Sequence, residues 1–187
     1  MPMTFEKAIA APGRLVQAWD RELDGRRVAM IYRLGDGGAE QLAWRYVPEA
    51  EHGAVMAALG ARGLAEAQYD SYSGFVWFES AAGVEVSHRT GKQLVATGDL
   101  ATLADGRTIP RFELAAVIAF ATDDYVSRGV KVALRSGEEI KLVTEASMHA
   151  MGDPTYSRND LFVETLWAAV IGRAIARWAG VPFVNLI

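Results

Sequence analysis

Cysteine is absent from the chain, which removes thiol nucleophiles, disulfides and thiolate metal sites and fits a protein of a reducing compartment. Positive charge is in short supply as well. Nineteen Lys and Arg against 23 Asp and Glu leave a net charge of −4 and a pI near 5.4, so the long-range field repels phosphate backbones and no nucleic-acid partner is expected. Histidine occurs only as His52, His88 and His149, with no HExxH or H-x-H pair, and no metal site is expected. His149 and Asp153 stand four apart, the spacing of two ligands on one helical face, but Gly152 and Pro154 interrupt a helix there. A basic start followed by an apolar leader is missing from the first residues, where Glu6 and Lys7 intervene. The most apolar long stretch, Leu161 to Ile187, carries Glu164, Arg173 and Arg177 and ends at Gly180 and Pro182, so no transmembrane segment is expected. A cytoplasmic location follows as the expectation.

Recognisable catalytic motifs are missing too. There is no G-x-S-x-G elbow. Gly83 and Gly91-Lys92 are separated by seven residues instead of the four of a phosphate loop, and Gln93 stands where a magnesium-binding Ser or Thr belongs. Gly35-Asp36-Gly37-Gly38 does not satisfy G-x-G-x-x-G and lies between two strand-like segments. Asp123-Asp124 are adjacent carboxylates, which a solvated turn explains. No cofactor is expected.

What is present is the composition of a folded chain, 51% hydrophobic and 22% charged. Residues 4–19 show helical spacing, split in two by Pro12-Gly13. Val28, Met30, Tyr32 and Leu42, Trp44, Tyr46 alternate on two strands joined through Gly35 to Gly38, and Val55, Met56 and Leu59 predict a helix near 48–62. From Tyr72 onward turn signals recur between short alternating segments, as a meander requires. Ile109 to Ala121 is an apolar run best read as a buried strand. Val130, Val132 and Leu134 against Ile140 and Leu142, with a Ser136-Gly137 turn, form the clearest hairpin. Ser157 and Asp160 match a capping box, and a long apolar helix from there to Gly180 is expected.

The order of elements predicts an α+β protein. An N-terminal helix-hairpin-helix region, residues 1–70, precedes an antiparallel sheet or partly open barrel, residues 71–187, closed by the long C-terminal helix. The two parts form one compact domain or two subdomains. The stretch from about 72 to 180, strands followed by one helix carrying Trp167 and Trp178, resembles a bacterial pleckstrin-homology-like domain in its element order alone. In lipid-phosphate members of that class cations surround the first strand-pair loop; here the loop is Glu79-Ser80-Ala81-Ala82-Gly83. The resemblance therefore implies protein contact, with no lipid phosphate expected.

Two groups of residues are candidates for function. His88, Arg89 and Lys92 surround a Thr90-Gly91 turn where donors and cations can hold an anion. The tail Phe183, Val184, Leu186 and Ile187 is apolar beyond the helix stop, and its burial in the core or in a homodimer interface is expected. Trp44, Trp77, Trp167 and Trp178 occupy periodic apolar positions and are assigned to the core. A binding or assembly module with a protein partner, or self-association, is the expected function. A small-molecule hydrolase or transferase with a dispersed site stands as one alternative. Peripheral membrane association through the C-terminal helix, with Arg173 and Arg177 at the headgroups, is another.

Overall fold

Alternation of apolar and polar residues governs most of the chain, and strands follow it. A computed structural model describes residues 3–21, 24–71, 73–122, 127–146 and 165–187. The chain divides into two units, Met1–Phe78 with Ser87–Lys92 and Glu79–Val86 with Gln93–Ile187.

In the first unit a short helix α1 (Phe5–Ala8) precedes β1 (Arg14–Arg21), β2 (Arg26–Gly35) and β3 (Gly38–Pro48). Helix α2 (His52–Ala61) and the two-residue β4 (Ala65–Glu66) follow. The sheet order is β3-β2-β1-β4, with β1 antiparallel to β2 and parallel to β4. Apolar clusters lie on both faces. Ala29, Ile31, Leu42, Ala43 and Val47 pack with Phe5 of α1 and Leu59 of α2, while Val16, Ala18, Met30, Tyr32 and Val76 form the other cluster. Gln17 is buried at the centre of β1, and its side chain is fully used. Its amide donates to the Leu64 and Met56 carbonyls at 2.9 and 3.1 Å and accepts the Trp19 indole N–H at 3.0 Å.

The middle of the chain forms β5 (Gln68–Tyr69), β6 (Val76–Ser80), β7 (Gly83–His88), β8 (Gly91–Thr97), β9 (Leu100–Leu103) and β10 (Thr108–Pro110), the meander foreseen from the recurring turns. Its strand order is β10-β9-β8-β7-β6-β5.

The second unit continues with β11 (Leu114–Ala121), β12 (Ser127–Leu134), β13 (Glu139–Ala146), helix α3 (Leu166–Ala179) and β14 (Phe183–Leu186). Their sheet has the order β13-β12-β11-β14. The β12–β13 hairpin turns at Ser136-Gly137 as the sequence indicated, with Val132 fully buried and Lys131 part-exposed. Helix α3 lies against β11 and β12, burying Trp167, Ile171 and Ile175 together with small residues that permit close approach, Ala168, Gly172 and Ala176. Gly180, at φ +69°, supplies the left-handed cap that ends it.

The architecture corrects the expected fold class. The described residues are mostly strand, arranged in three sheets and in no closed barrel, and two of the sheets are mixed because β4 and β14 add in parallel. Among the described residues no long C-terminal helix closes them: α3 has 14 residues, about 21 Å at 1.5 Å each. The Ser157 and Asp160 capping pair, His149, Asp153 and Asp123-Asp124 lie outside the described residues. Helix α3 opens instead at Thr165, without a side-chain cap. The N-terminal helix-hairpin-helix is also corrected, since Leu15, Val16 and Trp19 belong to strand β1. A strand paired on both edges between two apolar clusters loses its alternation, and its apolar spacing then imitates a helix. Ile109 to Ala121 is strand except at Arg111–Glu113, where a 3-10 turn separates β10 from β11. Among the described residues no helix is long and apolar enough to cross a membrane.

Candidate functional site

The turn carrying His88, Arg89 and Lys92 joins β7 to β8, and the structure places it in the first unit with the β2–β3 hairpin tip. Gly38 makes that approach possible. At φ +100°, a Cβ there would stand 2.0 Å from the His88 carbonyl oxygen and 2.7 Å from the Gly91 nitrogen, so backbone meets backbone where a side chain would fit in neither chain. Beside the contact lies a cleft of about 640 Å³ lined by Gly35, Gly37, Gly38, Arg33, Glu40 and Arg89.

The three proposed anion ligands are not equivalent there. His88 Nδ1 lies 2.7 Å from the Thr90 hydroxyl and its ring lies tilted against Phe75, centroids 5.2 Å apart. Burial, and after it the Arg89 charge, hold the imidazole below its ordinary value against a backbone hydrogen bond with Ser73. A neutral ring gives an anion little. Lys92 Nζ stands 3.6 Å from the Asp36 carboxylate. Arg33 is held by Glu40 at 3.0 and 2.5 Å. Arg89 is the cation of the cleft to which no carboxylate of the described residues is paired, and one guanidinium on an open wall is a modest anion site.

The apolar tail has a more definite geometry. Strand β14 is the edge of its sheet and pairs in parallel with β11, Val117 opposite Phe183 and Phe120 opposite Leu186. The Val117 amide donates to the Pro182 carbonyl at 3.0 Å. Backbone groups along a strand alternate in direction, so residues 182, 184 and 186 face β11 while the N–H and C=O groups of Phe183 and Asn185 face the other edge, where no strand of the described residues pairs. Side chains alternate as well. Phe183 lies over α3, its ring 5.4 Å from the Arg173 guanidinium carbon. Val184 and Leu186 project from the opposite face beside Ile118 and Phe120, and are 38% and 59% exposed. That face is not bare of charge: Lys131 and Lys141 lie 5.6 and 5.7 Å from the Phe120 ring centre. β14 itself carries none. No protein-family model and no curated protein matches the chain.

Two further surfaces carry charged or aromatic groups. A cleft of about 360 Å³ in the second unit is lined by Glu79, Arg111, Arg177 and Trp178. Its charges are engaged locally, Arg177 with Glu79 at 2.8 and 2.7 Å and Arg111 with the Ala179 carbonyl at the helix end. The sequence missed the other surface. Trp44 is half-exposed on edge strand β3, edge-on to Tyr46 at 5.3 Å, and Arg26 covers the Tyr46 ring at 4.1 Å. The expectation that Trp44 is core is thus corrected, whereas Trp77 and Trp167 are buried. β3 pairs on one side alone, so its outer residues lack neighbours to cover them, a distinction that alternation does not encode.

Proposed function

We propose that the protein is a binding and assembly module that engages another chain by strand addition at the open edge of β14. The observation that carries this reading is the combination of outward backbone groups at Phe183 and Asn185 with exposed Val184 and Leu186, in a strand without charge, proline or bulge. Sheet edges are ordinarily blunted by those devices, and an edge that lacks them offers a template for a partner strand. Backbone pairing supplies the affinity and the two apolar side chains the selection. Short extended peptides with apolar residues at alternate positions test the reading. Titrated into the intact protein, they are expected to shift the Phe183 and Asn185 amides and to lose binding in Asn185→Pro, which removes one outward donor and leaves the ladder to β11 intact. Peptides that bind without touching those amides, or no binding up to about 1 mM, near 4 kcal/mol, would reject it.

A further inference from the structure

We infer that the strand added to β14 is β14 of a second copy of this chain, antiparallel, with the two-fold axis passing through Asn185. The inference rests on strand addition at this edge and names the occupant. A strand is self-complementary when the groups it turns outward meet one another under a two-fold rotation. In an antiparallel pair, residues whose backbone groups point at the partner sit opposite one another as hydrogen-bonded pairs, and the residues between them form the closer non-hydrogen-bonded pairs. Phe183 and Asn185 point outward. An axis through Asn185 sets it opposite the partner's Asn185, and Phe183 opposite the partner's Ile187, so that outward groups meet outward groups at every position.

Side chains select this register over its neighbour. With the axis through Asn185, Val184 faces the partner's Leu186 and Leu186 faces the partner's Val184. The two most exposed apolar groups of the strand, at 38% and 59%, then cover one another on the face away from α3. Moving the axis to Val184 sets Leu186 against the partner's Pro182 and leaves fewer hydrogen-bonded pairs. The side chains that meet raise no charge objection, because Phe183 to Ile187 includes no ionisable side chain. The contact joins two four-stranded sheets of the order β13-β12-β11-β14 end to end. An edge-to-edge seam of this length is small beside an obligate interface, so association is concentration-dependent.

The absence of cysteine makes the register directly readable, since each Cys substitution introduces a lone thiol. Directly opposite Cα atoms in a hydrogen-bonded antiparallel pair are about 5.5 Å apart, within the range that a disulfide spans. The intact chain carrying Asn185→Cys is expected to form a disulfide-linked dimer under mild oxidation. Val184→Cys and Leu186→Cys are each expected to stay uncrosslinked alone and to crosslink when mixed. Crosslinking of Val184→Cys alone, with none from Asn185→Cys, would overturn the register. A wild-type chain that sediments as a monomer at every concentration up to about 0.5 mM would overturn self-association, as would an Asn185→Pro chain that dimerises undiminished. Peptide addition at the edge without a dimer defeats the second copy and spares strand addition; loss of both defeats the common premise.

Discussion

The ring of Phe183 occupies the space that Gly172 leaves in helix α3: a Cβ on Gly172 would lie 2.7 Å from Phe183 Cε2. A helical glycine thereby seats the ring of the last strand. Gly172→Ala gains about 1 kcal/mol of helix propensity, and the ring must move to admit the methyl group. The expected outcome is a small net change in melting temperature, with amide shifts concentrated in residues 182–187. Undisturbed β14 amides in a protein stabilised by the full propensity gain would show that the seat is not tight.

Gln17 supports a different part of the fold. Gln17→Ala strands the Leu64 and Met56 carbonyls and the Trp19 indole N–H, and a loss of about 3 kcal/mol is expected from buried polar groups left without partners. Denaturant unfolding measures it. A loss below about 1 kcal/mol would mean that water reaches the site.

Glycines at the hairpin tip divide into two kinds. Gly38→Ala drives a methyl group into the His88 and Gly91 backbone from a positive φ, and a cost above about 3 kcal/mol is expected. At Gly35 nothing lies within 4 Å and φ is not positive, so Gly35→Ala is expected to change stability by less than about 1 kcal/mol. Equal costs in thermal melts would remove the close approach from the account.

His88 links stability to pH. Its folded-state imidazole titrates below the ordinary value, chiefly through burial, so the unfolded chain binds the proton more readily. Stability is therefore full above the unfolded value near 6.5 and falls as the pH drops from there toward the lower folded value. His88→Gln should flatten this acid limb of the melting profile, and an NMR titration of the wild-type ring should place its midpoint below that of an unfolded histidine. A midpoint at or above the ordinary value would refute the burial argument.

Local pairings were legible in the sequence and distant ones were not. The β12–β13 hairpin announced itself because Val132 and Lys131 alternate beside a Ser-Gly turn, and the stop at Gly180 because a left-handed cap needs glycine. β1 misled because a central strand has no wet face. Trp44 misled because an edge strand has a wet flank that periodicity ignores. The cationic turn was visible as a cluster, yet the Asp36 that faces Lys92 and the Phe75 under His88 come from other elements. The apolar tail was visible as an anomaly. That it becomes a parallel strand depends on β11, far upstream, and on a gap in a helix between them.

The parallel pairing of β11 with β14 also constrains how the molecule is made. β11, Leu-Ala-Ala-Val-Ile-Ala-Phe-Ala, has neither charge nor proline, the composition of a segment prone to cross-β stacking. Translation releases it before α3 and β14 exist. During that interval the side of β11 later taken by β14 has no strand to pair with, and crowded polysomes bring identical nascent segments together. Safe biogenesis thus depends on the interval between these two strands on the ribosome, and slowing elongation between them should lower the soluble yield more than slowing it elsewhere.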